Sequence, residues 1–224
     1  GERRAALITH TVTKGLDPTA PLKDSGIPWL GLVPAHWEVV RLKWVAEVVM
    51  GQSPPSETYN ENGYGVPFLQ GNADFGAQSP AAGTWCTNPS KLCKAGDLLL
   101  SVRAPVGALN KADIQYGIGR GLCAIRPADA ALPEHFWYHL MVSRAQLETQ
   151  SDGSTYDAVS TSDVGALLIA LPPLPEQRAI AAYLDDETAR LDGLVERAQR
   201  MITLLEEYRA ALITAAVTGQ INVT

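Results

Sequence analysis

Residues 207 to 218 read Glu207-Tyr208-Arg209-Ala210-Ala211-Leu212-Ile213-Thr214-Ala215-Ala216-Val217-Thr218, and residues 2 to 13 read Glu2-Arg3-Arg4-Ala5-Ala6-Leu7-Ile8-Thr9-His10-Thr11-Val12-Thr13. Nine of the twelve aligned positions are identical, and a glycine follows each copy within two residues, Gly219 and Gly15. Glycine takes the left-handed backbone conformation that ends helices, so both copies read as helix C-termini. Internal repetition constrains architecture more than any local pattern. The first copy has the form of the last turns of a helix whose beginning is missing, and the second ends a whole one. The expectation is a unit equivalent to half of a larger two-repeat protein.

Outward from Glu207 the helical pattern runs back to Pro172-Pro173-Leu174-Pro175-Glu176-Gln177, after which no proline occurs. Pro175 and Glu176 suit a helix start, where a missing N–H costs nothing and a carboxylate meets the positive end of the dipole. The series Ile180, Leu184, Glu187, Leu191, Leu194, Ala198, Met201, Leu205, Tyr208, Leu212, Ala215 advances in alternating steps of four and three. All but Glu187 are apolar or aromatic, a heptad seam that predicts a coiled-coil helix over 172–219. At 1.5 Å per residue its roughly 42 residues make a rod about 60 Å long. Val195, Ile202 and Ile213 widen the stripe, which keeps open an amphipathic helix folded back on its own domain. In either case the stub at residues 2–13 is too short to cover the seam.

The 224 residues hold one fair-sized domain and an appendage. No apolar run approaches the roughly 18 to 20 residues of a membrane span, and the first residues have no signal-peptide pattern. Cys86, Cys93 and Cys123 lack metal-ligand spacing and read as reduced, buried thiols of a cytoplasmic protein. The net charge is −6, and no segment is strongly basic. A protein that gripped DNA alone by neutralising phosphates would show a basic stripe. Either nucleic acid is not the ligand, or a partner supplies most of that grip.

Between residues 27 and 171 the chain is rich in glycine and proline, with short apolar runs. Glu47–Met50, Pro67–Leu69, Asp97–Val102 and Leu122–Ile125 read as strands, and Pro133 to about Thr149 as a helix carrying Phe136, Leu140 and Leu147. The fold class is therefore α+β: one mixed domain followed by a long helix. Residues 1–26 form a helix end and linker, and 220–224 a tail.

Enzyme chemistry is missing from this pattern. There is no phosphate-binding loop; Gly117-Ile118-Gly119-Arg120-Gly121 reads as a turn before a strand, and no serine sits in a nucleophile elbow. His135 and His139 have helical i,i+4 spacing, but Phe136 stands where a zinc-protease motif needs glutamate. They are expected to be a partly buried or surface feature, and no metal is expected. What remains are loop side chains able to hydrogen-bond base edges: Gln52, Ser53, Gln70, Asn72, Lys91, Arg103, Arg120, Ser154, Thr155 and Tyr156. Arginine pairs with guanine, and asparagine or glutamine with adenine, in the major groove.

Several stretches resemble one family in its order. Ile27-Pro28-Trp29-Leu30-Gly31, Val33-Pro34-Ala35-His36-Trp37-Glu38-Val39 and Arg41-Leu42-Lys43 resemble the opening of a target recognition domain in type I restriction–modification specificity (S) subunits. Gly51-Gln52-Ser53-Pro54, Gly65–Leu69, Gly96–Ser101, Val106-Gly107 and Gly153-Ser154 follow, and Pro172–Gln177 with Leu205–Gly219 resembles the family's conserved helical region. The resemblance implies a target recognition domain over 27–171 and a spacer and docking helix over 172–219. It implies a non-catalytic subunit that binds double-stranded DNA and directs methylation (M) and restriction (R) subunits to a bipartite target. S-adenosylmethionine, and ATP with magnesium, would then sit on those partners and no cofactor on this chain. Family members usually carry two recognition domains where this chain has one. It would be a half-length form or the C-terminal half of a full subunit, with self-association through the helix seam expected. The alternative is a coiled-coil interaction scaffold with a degenerate recognition domain.

Overall fold

A computed structural model describes residues 2–151 and 159–221, with the side chains of 145 and 148–151 set aside. The chain divides into two compact units at Ala181/Ala182.

The first unit opens with helix α1 (Glu2–Lys14), which packs on strand β2 (Leu32–Pro34), itself paired with β1 (Leu22–Asp24), and on helix α3 (Pro133–Ser151). Part of the stretch expected to be loop is thus a strand. α1 ends as its sequence predicts: Gly15 has φ +75° and its N–H donates to Thr11 O at 3.0 Å. A Cβ at Gly15 would also stand 3.1 Å from the Trp37 ring.

The centre of the unit is two four-stranded sheets. One has the order β4 (Ala46–Met50), β11 (Leu122–Pro127), β8 (Leu98–Ser101), β9 (Leu109–Lys111), all antiparallel. The other has the order β10 (Gly117–Ile118), β6 (Val66–Leu69), β7 (Thr84–Cys86), β5 (Tyr59–Asn60), in which β10 and β6 run parallel. Side chains on successive strand positions point to opposite faces, and the two cores follow that period. Leu98 and Leu100 of β8, with Cys123 and Ile125 of β11, join Phe136, Leu140 and Leu147 of α3 and Val164 of α4 (Thr161–Ala166). Leu99, Leu122 and Ala124 face the other way, into a second core with Leu69 of β6 and Ile118 of β10. Burial on both faces explains why β8 reads as an unbroken apolar run rather than an alternating one.

Strand β12 (Leu168–Leu171) pairs with β3 (Glu38–Arg41), and the short helix α2 (Leu42–Val45) leads from β3 into β4. The four strands and the helix expected from sequence are present, the helix running two residues beyond Thr149. Gly117–Ile118, expected to be turn, is strand β10; the turn begins at Gly119.

Helix α5 (Leu174–Val217) starts in the first unit and makes up most of the second. Its end is a Schellman arrangement: Gly219 has φ +72°, Gln220 N–H donates to Ala215 O at 2.8 Å and Gly219 N–H to Ala216 O at 3.2 Å. Both copies of the repeat therefore terminate at a left-handed glycine. Along the seam Ile180 and Leu184 are buried and Leu191 is half-buried, whereas Leu194, Ala198, Met201, Leu205, Tyr208 and Leu212 are exposed. Val195, Ile202, Leu204, Ile213 and Val217 are exposed beside them. An apolar face several turns long is thus uncovered in the single chain.

Candidate nucleic-acid interface

Three glycines bring distant loops together. A Cβ on Gly51 would meet Gly119 O at 2.1 Å, and one on Gly121 would meet Gln70 O at 2.6 Å and Gly71 Cα at 3.3 Å. Only backbone fits between backbones there, so the turn Gly119-Arg120-Gly121 sits directly on the ends of β4 and β6. Hydrogen bonds tie the crossing: Gln52 N–H donates to Ile118 O at 2.9 Å, Gly119 N–H to Leu69 O at 2.8 Å, Ile118 N–H to Lys91 O at 3.0 Å and Val102 N–H to Gly121 O at 2.9 Å. Gln52, Gln70, Asn72, Lys91, Arg103 and Arg120 are separated by up to 68 positions in sequence, yet each lies within two residues of one of these backbone contacts. Ser53 follows directly on Gln52.

The loops are preorganised by side chains pointing inward. The Asp74 carboxylate accepts from the N–H groups of Gln70 (2.6 Å) and Gly71 (3.2 Å), holding that turn. Buried Ser101 donates to Pro105 O at 2.7 Å and accepts from Ala108 N–H at 2.9 Å, fixing the loop that carries Arg103. The Tyr59 phenol is pushed above its usual range by burial and by the nearby Cys86 thiol, while Ser53 and Arg120 beside it oppose the shift. Of the candidates, Gln52, Ser53, Gln70, Lys91, Arg103 and Arg120 are exposed and Asn72 is half-buried. Lys91 and Arg103 make no ion pair among the described residues. Arg126 contrasts with them: its guanidinium is held by Asp97 at 2.9 and 2.7 Å and by Glu47 at 2.6 Å, contacts that raise its pKa and leave it structural. The arrangement is an exposed set of amides and three cations on a rigid backbone crossing, a chemistry suited to phosphates and base edges.

Ser154, Thr155 and Tyr156 lie outside the described residues. Two residues that shape this surface, Asp74 and Tyr59, were not among the expected ones. Asp74 carried a signal, since an aspartate soon after Gly71 is a turn-capping pattern; Tyr59 carried none.

The histidine pair departs from expectation. His135 and His139 are both fully buried, with ring centroids 6.1 Å apart, instead of partly buried or at the surface. Burial lowers the pKa of His135 to about 4, and burial together with the His135 charge lowers that of His139 to about 3. His139 Nε2 accepts from Ala170 N–H at 3.0 Å, which places His139 in the packing between α3 and β12. Among the described residues no group of three metal-ligating side chains converges. Burial also pushes the thiols of Cys93 and Cys123 up, to about 11 and about 12, so neither is a nucleophile at neutral pH. No helix of the described residues is long and apolar enough to cross a membrane.

Comparison with known proteins adds to this geometry. Residues 34–200 match a family described as the type I restriction modification DNA specificity domain. The chain is 37% identical over 223 residues to a Methanocaldococcus jannaschii protein assigned as the MjaX type I restriction enzyme specificity subunit, covering 98% of this chain and 51% of that one. It is 26% identical over 205 residues to the EcoBI type I restriction enzyme specificity subunit of Escherichia coli, covering 86% of this chain and 41% of the other. Among solved structures, the HsdS subunit of Thermoanaerobacter tengcongensis superposes with a TM-score of 0.72 at 39% identity, over 88% of this chain and 45% of that one. A chain from a study of complex assembly and conformational transition in the type I R-M system superposes with a TM-score of 0.76 at 36% identity, over 96% and 53%. The chain spans about half the length of the curated relatives it matches.

Proposed function

The chain belongs to the type I restriction–modification DNA specificity family, and from that premise we propose that it is the sequence-reading element of a DNA-modifying complex. The family match over residues 34–200 carries the reading, because it spans the two-sheet domain and runs well into α5. The loops crossing at Gly51, Gly119 and Gly121 supply the surface that meets DNA, with Arg103, Arg120, Gln52, Gln70 and Asn72 as base-edge readers and Lys91 as a phosphate contact. Helix α5 serves as spacer and docking element. Methylation subunits, and restriction subunits where present, assemble on it and carry the chemistry: S-adenosylmethionine for adenine methylation, ATP and magnesium for restriction. The acidic balance of the chain fits this division, since most of the phosphate grip then comes from the partners.

A single recognition domain reads one half of a bipartite target. The exposed seam of α5 supports pairing with a second helix, either in another copy of this chain or in a second repeat of a longer protein. Two copies related by a two-fold axis demand a palindromic target.

The test is the adenine methylome of cells producing this chain with the methylation subunit of its system. A bipartite methylated motif supports the reading, and a palindromic one assigns the second half to another copy. Absence of methylation by this chain alone, with the two proteins expressed and folded, assigns the second half to a further repeat; absence also when a second repeat is supplied overturns the reading.

A further inference from the structure

The start of α5 is fastened to the recognition domain by two neighbouring side chains that grip separate segments. Glu176 presents one carboxylate oxygen 2.7 Å from His36 Nε2, and the other accepts from the buried Trp37 indole N–H at 2.9 Å. Gln177 is fully buried; its Oε1 accepts from Leu132 N–H at 2.7 Å, and its Nε2 donates to Ala130 O at 3.0 Å and Pro172 O at 2.8 Å. The first grip is on the turn before β3, the second on the loop between β11 and α3.

Neither side chain is needed to satisfy the helix's own first turn. The N–H groups of Glu176 and Gln177 both donate to Pro173 O, at 2.9 and 3.0 Å. Adjacent helical residues project about 100° apart, so the two grips restrain the helix start about two axes where one contact would leave a pivot. The chemistry of each position is also specific. Trp37 N–H needs an acceptor, and the two carbonyls facing Gln177 need a donor, which a glutamate could not provide.

We propose that Glu176 and Gln177 are positioning residues that hold the start of α5 in one orientation on the recognition domain, and that they set the gap permitted between two recognised half-sites. The proposal rests on the functional reading above. It separates two properties: the loops around Gly119 read bases, and the Glu176–Gln177 pair governs spacing. A residue that merely supports the fold would lower activity on every site alike.

The experiment reads genome-wide adenine methylation by single-molecule sequencing in cells making the chain with its methylation subunit. For the Glu176→Ala/Gln177→Ala double variant, the half-site bases stay those of the unaltered protein. Methylation at gaps one base pair longer or shorter rises about tenfold, the equivalent of roughly one hydrogen bond lost from the preferred geometry. Glu176→Gln, which keeps an acceptor for Trp37, retains the original gap. A folded double variant that still methylates only the original gap overturns the proposal, as does one that changes the half-site bases. If the double variant does not fold, Glu176→Ala alone, which leaves the buried Gln177 network in place, is judged by the same comparison. Absence of methylation by the unaltered protein even with a second repeat supplied removes the functional reading and this proposal together, whereas normal methylation with an unshifted variant removes only this one.

Discussion

Arg120 is the central residue of the Gly119–Gly121 turn and Arg103 follows Val102, whose N–H donates to Gly121 O; both are exposed, on loops whose backbones are pinned by the glycine crossing and by Ser101. An arginine on a rigid loop can hold bidentate geometry to a guanine, and losing such a contact costs about 1–3 kcal/mol of discrimination. Replacing either with alanine is expected to relax the methylated motif at one base pair while leaving the rest intact. A uniform loss of methylation over all sites would instead assign that arginine to phosphate. The histidines make a different single-residue case. Because the folded pKa values of His135 and His139 lie near 4 and 3, below the usual value of 6.5, the unfolded chain takes up protons first as pH falls. Their neutral burial is therefore fully compatible with folding above about pH 6.5, and stability drains below it by about 1.4 kcal/mol per pH unit for each histidine. His135, whose ring nitrogens have no hydrogen-bond partner among the described residues, is the one to replace. His135→Leu should flatten the fall in melting temperature between pH 7 and pH 4.5, and parallel profiles for the two proteins would refute this account. The residue types of the candidate DNA-binding set were legible in sequence, because amide and guanidinium side chains can hydrogen-bond base edges; which of the many polar loop residues share one surface was not. The burial of His135 was not, since it depends on what packs over α3.

At the scale of elements, the strands that carry the core announced themselves and the short ones did not. Leu98–Ser101 and Leu122–Ile125 are buried on both faces, so their apolar runs stand out against the turns around them. β5, β7, β9 and β10 have two or three residues each, too few to show a period, and they exist because neighbouring strands supply their hydrogen bonds. The glycine crossing depends on that pairing. Gly51→Ala drives a methyl group into Gly119 O, and overpacking of this kind typically costs about 1–3 kcal/mol. The variant should melt several degrees lower by calorimetry and should lose selective methylation before it loses its fold. An unchanged melting temperature would mean that β4 and the turn can separate without cost.

At the scale of the molecule, the question is what covers α5. Leu194, Met201, Leu205, Tyr208 and Leu212 are between 40% and 63% exposed, too much contiguous apolar surface for a helix that works alone. Charges introduced on a heptad seam are buried without partners when helices pair. Leu191→Glu combined with Leu205→Glu is therefore expected to convert an associated form to a monomer by light scattering, with near-ultraviolet circular dichroism of the recognition domain unchanged. A mass that is already monomeric at high concentration, and unaffected by the substitutions, would mean that copies of this chain do not pair.

The division between what was readable and what was not follows from range. Periodicity and punctuation are local, and they determined the long helix, the glycine-ended helix termini of α1 and α5, the four principal strands and the mixed α+β class without reference to anything distant in the chain. Tertiary structure alone decided which loops meet. Gln52, Gln70, Lys91, Arg103 and Arg120 become one surface only because backbones without side chains pass at Gly51, Gly119 and Gly121. It also decided that Glu176 and Gln177 reach back to residues about 140 and 45 positions earlier. A one-dimensional pattern records which side chains can hydrogen-bond; close packing of the folded chain selects the partners.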